Sequence, residues 1–261
     1  MIEIDNENTA HDSYYVRASD TDLFFKGTVP FYFSIMQEMG ASHAAAKKVA
    51  ITDLMDEYGA TWVISRTRVK FLHHASWQDH ISVQSWAQEP VRLHCPRVIK
   101  GVVDGVPVFE AMTLWAVIDV KRARPIRPGF VLEKLIPADP EKHFMSPDLS
   151  PIKGWDETDK ISVLEPYRAE PVFYNIDANG HINNVVYLEW IISAMDQDFL
   201  KTHEPDTMDV KWVRQTFASD CPVVETALIK EENGLTSFIH RIVNKDGKTV
   251  FEAESSWRDR A

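Results

Sequence analysis

The chain contains an internal repeat, which limits its fold to copies of one structural unit. The sequence VFEAMTLW at residues 108–115 returns as VFEAESSW at residues 250–257, with five of eight positions identical at an offset of 142. Features that recur at nearly this spacing are Asp104-Gly105 with Asp246-Gly247, and Val69-Lys70-Phe71 with Val210-Lys211-Trp212. Such spacing predicts two units of about 125 residues each that pack as a pseudo-dimer, since two copies are too few for a solenoid.

Each half of the chain has the same order of elements: a polar loop, a long helix, then several antiparallel strands. This order predicts an α+β fold. Predicted helices cover residues 29–47, 51–57 and 185–203, with one turn at 131–135 and with Asn183 or Asn184 as the N-cap of the third helix. Predicted strands cover residues 14–16, 61–73, 81–87, 98–103, 106–120, 209–217, 223–230, 237–243 and 249–257. The polar residues 1–12 are expected to fray.

Prolines separate the two halves. Seven of them lie between residues 125 and 166, where they interrupt any long helix. We therefore predict an N-terminal unit at residues 1–135, a linker at 136–166 and a C-terminal unit at 167–261.

Charge and composition exclude several classes of function. The formal net charge is −11, and both nucleic acids and anionic membranes need a basic surface on their partner. No stretch approaches eighteen apolar residues, and the acidic start lacks the features of a signal peptide, so we expect a cytoplasmic protein without a membrane span. The two cysteines cannot form a disulfide framework, and His73-His74 lacks further ligands at metal spacing. We therefore predict no metal site.

The most informative polar loop is FYNIDANGHINN at residues 173–184, which is followed directly by an apolar helical run. His181 is a candidate general base or nucleophile, because histidine exchanges protons near neutral pH. Asn179 could donate to an oxyanion, and Asp177 could fix the imidazole tautomer. Alternate positions 177, 179 and 181 would face one side of an extended segment. A structural alternative stays open, in which Asp177 and Asn179 only close an Asx turn.

The same loop of the first half lacks this chemistry. At an offset of 157, residues 20–27 align with residues 177–184, so that Asp20 meets Asp177 and Phe24 meets His181. A loop with only a structural role could be polar in both halves of the chain, but here Phe24 stands where the second half has His181. The difference predicts one active half and one half that holds the substrate.

The motif DxNGHINNxxY at residues 177–187 resembles the signature of the acyl-ACP thioesterases of plants and bacteria. The likeness covers roughly residues 12–258, and its other elements are Trp62-Val63-Ile64-Ser65-Arg66, Trp77-x-Asp79, Ser85-Trp86, Arg92, Arg97 and Trp115-Ala116-Val117-Ile118-Asp119. The resemblance implies a tandem double hotdog, each half a long helix wrapped by an antiparallel sheet. It also implies hydrolysis of fatty acyl-ACP without a cofactor, ending fatty-acid synthesis. We further expect the acyl chain to lie in an apolar pocket mainly in the N-terminal unit, next to the predicted helix of residues 29–47.

The resemblance also implies a set of site residues. The family's catalytic Asp, Asn and His correspond to Asp177, Asn179 and His181. Its fourth group, a Glu on the following strand in plant members, corresponds to Gln215, and the Cys after it corresponds to Thr216. Gln215 is a departure, since an amide forms hydrogen bonds but cannot take a proton.

The expected partner is acyl carrier protein carrying a fatty acyl chain. The carrier is acidic, so docking on this acidic chain needs a local basic patch, for which Arg122, Arg124 and Arg127 are candidates. Two alternatives remain: an acyl-CoA thioesterase on the same fold, and a non-catalytic acyl-binding protein. A homodimer is also open, because the sequence does not fix the oligomeric state.

Overall fold

The first half of the chain forms an antiparallel sheet with one long helix packed on it, as a computed structural model of residues 2–139 and 150–260 shows. The described residues divide into two units, within residues 1–149 and 150–261. Helices of the N-terminal unit are α1 (Val29–Ala46), α2 (Ile51–Tyr58) and α3 (Gly129–Leu132). Its strands are β1 (Glu3–Ile4), β2 (Ala10–Tyr15), β3 (Ala60–Phe71), β4 (His80–Ala87), β5 (Cys95–Val103), β6 (Val106–Asp119) and β7 (Arg124–Ile126).

The sheet of the N-terminal unit has the order β1-β2-β4-β5-β6-β3, and β7 pairs with β6. Strands β5 and β6 form a hairpin whose two turn residues, Asp104 and Gly105, both have positive φ, as this tight turn requires. Helix α1 begins after Thr28, whose side chain accepts from the Phe31 N–H. Its buried face, which includes Tyr32, Ile35 and Met39, contacts β2, β4 and β5.

The C-terminal unit repeats this plan with a shorter helical part. Its helices are α4 (Val186–Ser193) and α5 (Gln197–Thr202). Its strands are β8 (Ser162–Val163), β9 (Tyr167–Arg168), β10 (His203–Trp212), β11 (Val223–Glu232), β12 (Leu235–Val243) and β13 (Thr249–Asp259). The antiparallel sheet has the order β10-β13-β12-β11-β8, and β9 pairs with β11. The predicted α+β class is confirmed in both units.

Two predictions at the ends of elements are wrong. Residues 2–12 are not frayed: β1 pairs with β2, and the Asp5 carboxylate closes their turn by accepting from the backbone N–H groups of Glu7 and Thr9 at 2.9 Å. The helix predicted at 185–203 is two helices. Asp196 takes an extended conformation and its carboxylate accepts from the N–H groups of Asp198 and Phe199, which starts a new helix there.

The strand predicted at residues 209–217 is also misplaced. β10 begins at His203 and ends at Trp212, so Gln215 and Thr216 lie in the loop that follows it. The chain leaves the ladder because the Thr216 carbonyl instead accepts from the Ile182 N–H at 2.9 Å. Of the predicted linker, residues 140–149 lie outside the described residues, while Trp155–Glu157 forms a 3-10 turn and β8 pairs with β11.

Candidate active site

Residues 177–182 form a tight turn that is organised by one carboxylate. Asp177 Oδ1 accepts from the N–H of Asn179 at 2.8 Å and from the N–H of His181 at 3.3 Å. The Asp177 N–H donates to the His181 carbonyl at 2.8 Å, and Gly180 has a φ of 78°, which favours glycine. The turn thus holds the backbone of His181 in a fixed position, using the side chain of Asp177.

The side chains of this turn differ in exposure. Asn179 is exposed, and its amide lies 3.5 Å from Asp177 Oδ2. His181 is half-buried, and its ring packs edge-to-face on Phe217 with centroids 4.9 Å apart. Among the described contacts, the Asp177 carboxylate bonds to the turn itself and not to the imidazole. The structure therefore brings Asp177, Asn179 and His181 into one turn, with Asp177 in the geometry of an Asx turn.

The loop after β10 lies beside this turn. The Ile182 N–H donates to the Thr216 carbonyl, so the neighbours of Thr216 in sequence, Gln215 and Phe217, lie close to the turn. Gln215 is exposed. Tyr187 of α4 is buried, and its burial raises the pKa of the phenol to about 12. The phenol therefore stays protonated at neutral pH.

The start of α4 differs from the prediction. Its N-cap is Val185 and not Asn183 or Asn184, which lie two residues and one residue before it. The Asn183 side chain accepts from the Val185 N–H at 2.9 Å, and the Asn184 carbonyl accepts from the Trp212 indole at 3.2 Å. Both asparagines thus fix the segment between the turn and the helix.

Comparison with known proteins gives the family. The Acyl-ACP thioesterase N-terminal domain matches residues 7–130, and the Acyl-ACP thioesterase C-terminal domain matches residues 159–259. The chain belongs to the acyl-ACP thioesterase family. It is therefore an acyl-[acyl-carrier-protein] thioesterase, which hydrolyses the thioester of fatty acyl-ACP and releases a free fatty acid. The enzyme class expected from the loop motif is confirmed.

Two relatives in this family match along about two thirds or more of their length. The chain is 21% identical to oleoyl-acyl carrier protein thioesterase 1, chloroplastic, of Arabidopsis thaliana, covering 95% of this chain and 75% of the relative. It is 22% identical to oleoyl-acyl carrier protein thioesterase, chloroplastic, of Coriandrum sativum, covering 94% and 68%.

Solved structures agree on the fold. The acyl-ACP thioesterase of Bacteroides thetaiotaomicron matches with a TM-score of 0.79 at 17% identity, covering 96% of this chain and 98% of that one. The 12:0-ACP thioesterase of Umbellularia californica matches with a TM-score of 0.80 at 16% identity, covering 97% and 94%. The predicted tandem hotdog fold is confirmed.

The N-terminal unit of this thioesterase contains the same turn, built on Asp22. Asp22 Oδ1 accepts from the N–H of Phe24 at 2.9 Å and of Lys26 at 3.0 Å, and the Asp22 N–H donates to the Lys26 carbonyl at 2.8 Å. Asp22 therefore corresponds to Asp177, and the offset is 177 − 22 = 155. The counterpart of His181 is Lys26.

The alignment at an offset of 157 was wrong because it matched one aspartate to another by letter. Asp20 has the role of Asn175 and not of Asp177: Asp20 Oδ2 accepts from the Arg17 N–H at 3.0 Å, as Asn175 Oδ1 accepts from the Val172 N–H at 2.9 Å. The conclusion that the first copy lacks the imidazole still holds, with Lys26 in place of Phe24.

The loop after the first long strand also corresponds in both units. The Gly27 N–H donates to the Ala75 carbonyl at 2.8 Å, as Ile182 does to Thr216, so Ser76 is the counterpart of Phe217. Lys26 Nζ donates to Ser76 Oγ at 2.9 Å. Sequence reasoning missed Phe217 as a neighbour of His181, because the repeat offset of 141 pairs Phe217 with Ser76 but does not show the contact that either residue makes.

In the part of the chain that the structure describes, no helix is long and apolar enough to cross a membrane. Among the same residues, no group of three or more His, Cys, Asp or Glu side chains is arranged to hold a metal ion.

Proposed function

We propose that this thioesterase cleaves its substrate at the turn of residues 177–182, with His181 as the reacting group. The observation that carries the proposal is the difference between two equivalent turns. Both are closed by an aspartate, and the C-terminal one presents an imidazole where the N-terminal one has Lys26 bonded to Ser76. The aspartate that closes the turn is the same in both units, and only the side chain that could react differs. This pattern is expected when one of the two units catalyses the reaction.

The reaction follows from these groups. In the general-base route, His181 takes a proton from water, and the water oxygen attacks the thioester carbonyl carbon. The Asn179 amide donates to the resulting oxyanion. When the carbon–sulfur bond breaks, the imidazolium returns its proton to the carrier thiolate, leaving a free acid and a thiol. Direct attack by the imidazole would form an acyl-imidazole that water then hydrolyses, and both routes stay open.

Asp177 and Gln215 support this chemistry without exchanging a proton. The Asp177 carboxylate holds the backbone of His181 and touches the Asn179 amide, so it fixes both reacting side chains relative to each other. Gln215 is exposed beside the contact of Ile182 with Thr216, where its amide can hold the attacking water.

The two units have different tasks in this proposal. The N-terminal unit, residues 1–135, binds the acyl chain, and the C-terminal unit, residues 167–261, carries the catalytic turn. The segment 136–166 connects them. The cytoplasmic location and the homodimer stay predictions.

The carrier protein is proposed to dock on the basic segment of residues 122–127, which spans the end of the turn after β6, strand β7 and the residue that follows it. Arg122, Arg124 and Arg127 are all exposed, although Arg122 forms an ion pair with Asp119 at 3.3 Å. This leaves Arg124 and Arg127 as the better candidates for contacts with an acidic carrier, because opposite charges steer association.

The experiment is to measure thiol release from the same acyl group on acyl carrier protein, on coenzyme A and on pantetheine. The proposal expects the highest kcat/KM on the carrier. Charge reversal with Arg124→Glu and Arg127→Glu should raise KM about tenfold or more for the carrier substrate and leave KM for acyl-pantetheine unchanged.

Each other outcome identifies a different function. Equal rates on the carrier and on coenzyme A would favour the acyl-CoA alternative, and binding without thiol release on any substrate would favour the non-catalytic one. An unchanged KM in the charge-reversal variant would remove Arg124 and Arg127 from the docking surface.

A further inference from the structure

One aromatic ring lies against the imidazole of His181. The ring is that of Phe217, with the two centroids 4.9 Å apart and the ring planes at 68° to each other. Aromatic pairs favour this edge-to-face arrangement, because the positive edge of one ring meets the negative face of the other. Among the described residues, no hydrogen bond orients the imidazole. The contact with Phe217 is therefore what limits the rotation of the His181 side chain.

Hydrogen bonds fix the backbones that carry the two rings. The Asp177 carboxylate accepts from the His181 N–H at 3.3 Å. The buried Asp220 carboxylate accepts from the Phe217 N–H at 2.7 Å, and the Asp220 N–H donates to the Phe217 carbonyl at 3.0 Å. A backbone hydrogen bond of 2.9 Å also joins the two segments directly beside the rings. The ring contact thus follows from the backbone, and is not a chance meeting of two surface side chains.

The N-terminal unit has the same supports under a different pair of side chains. Asp22 holds the backbone of Lys26 at 3.0 Å. The Asp79 carboxylate accepts from the Ser76 N–H at 2.7 Å, and the Asp79 N–H donates to the Ser76 carbonyl at 3.0 Å. Lys26 Nζ then donates to Ser76 Oγ at 2.9 Å. In each unit, therefore, the side chain on the loop after the long strand holds the side chain on the turn.

The difference between the two pairs has a chemical consequence. A hydroxyl group at position 217, such as Ser76 has in the other unit, would be able to bond to a ring nitrogen of His181 and occupy the lone pair that a base needs. A phenyl ring has no such group. Phe217 limits the rotation of the imidazole by contact alone and leaves both ring nitrogens open to water and substrate.

We propose that Phe217 is a positioning residue for His181, whose ring holds the imidazole in the orientation that the reaction needs. This inference rests on the proposed function in one respect, namely that His181 is the reacting group. Phe217 acts through the imidazole and exchanges no proton. Its side chain is 47% exposed, so the fold should tolerate its replacement.

The kinetic test compares Phe217→Leu with Phe217→Tyr on fatty acyl-ACP. Leucine is apolar but lacks the ring, so kcat should fall about three- to tenfold with KM unchanged, as expected for the loss of one aromatic pair. Tyrosine keeps the ring and should restore kcat. Ser76→Ala is the matched control, because it removes the hydroxyl that holds Lys26 in the other unit and should change neither constant. Urea unfolding checks that every variant is folded.

Nuclear magnetic resonance of the histidine ring protons reads the same contact without turnover. The protein has ten histidines, and the signal that disappears in His181→Ala is that of His181. In wild type, the ring current of Phe217 displaces this signal. Phe217→Leu should move it toward the position of a histidine in an unstructured peptide, and Phe217→Tyr should leave it near its wild-type position.

The two measurements separate this inference from the proposed function. Wild-type kcat in Phe217→Leu would overturn the positioning role and leave His181 as the reacting group. A raised KM at unchanged kcat would overturn it too, since the ring would then contact the substrate. A His181 signal that does not move in Phe217→Leu would show that the rings are not in contact. Wild-type turnover in His181→Ala would instead overturn the proposed function, and this inference with it.

Discussion

Asp177 and Asp22 close their turns with the same pair of backbone hydrogen bonds, although only one turn carries an imidazole. The role of Asp177 that the structure explains is therefore to hold the backbone of the turn. Its second possible role is to fix the imidazole tautomer by direct contact, and no such contact is found among the described residues. Substitutions that separate the hydrogen-bond acceptor from the charge distinguish these two roles.

Asp177→Asn keeps an acceptor oxygen for the N–H groups of Asn179 and His181 and removes the charge. We expect kcat to fall by less than about tenfold, since asparagine also forms Asx turns. Asp177→Ala loses both bonds, at a cost of about 1 kcal/mol each, and should lower both kcat and the free energy of unfolding. Steady-state kinetics and urea unfolding measure the two effects.

Asp22→Ala is the matched control in the N-terminal turn. It should lower the free energy of unfolding by a similar amount and leave kcat unchanged. If Asp177→Asn were as inactive as Asp177→Ala, the charge itself would be needed, and the supporting role would be insufficient.

Strand β10 was predicted to exist, but its bounds were predicted too far along the chain. A strand was predicted at 209–217, but the ladder runs from His203 to Trp212. The local sequence does not reveal that the Thr216 carbonyl bonds to Ile182, which lies far away in sequence. As a result Gln215 lies on an exposed loop outside the β-ladder, next to the turn of residues 177–182.

Variants of Gln215 test whether it holds water by hydrogen bonds. Gln215→Met keeps the length of the side chain and removes its polar atoms, so kcat should fall about tenfold. Gln215→Glu keeps an acceptor and adds a group that titrates, so kcat should be retained at neutral pH and fall on the acid side. A pH–rate profile of the three proteins decides this, and a Gln215→Met enzyme with wild-type kcat would remove Gln215 from the site.

For the molecule as a whole, the repeat in the sequence predicted two similar units and their order of elements correctly. The paired Asp-Gly turns and the VFEA segments were sufficient for this. The turns precede β6 and β13, and the VFEA segments lie on these two strands, which are equivalent central strands. The register of the loop at residues 173–184 could not be predicted in this way. Its equivalence is carried by backbone hydrogen bonds, through which Lys26 and not Phe24 corresponds to His181.

The two units also share a dependence on pH. His43 on α1 and His240 on β12 are both neutral in the folded protein, because burial lowers their pKa values to about 3, below the ordinary value of 6.5. The unfolded chain therefore binds more protons between these values, and the free energy of unfolding should fall as pH drops below about 6.5. Each histidine contributes at most about 1.4 kcal/mol per pH unit.

Urea unfolding at a series of pH values from neutral to about 4 measures this slope. His240→Gln keeps a hydrogen-bonding side chain that does not titrate, so its slope should be shallower than that of wild type. An identical slope in the variant would show that His240 is not the group whose protonation opposes folding.

The assignment of chemistry to one of two equivalent turns is tested most directly by thiol release from fatty acyl-ACP with His181→Ala and Lys26→Ala side by side. The account expects kcat to fall by roughly a thousandfold or more in His181→Ala, with the fold intact by circular dichroism. Lys26→Ala, which changes the matching position of the other unit, should keep kcat near wild type. A well-folded His181→Ala enzyme with wild-type turnover would contradict the account.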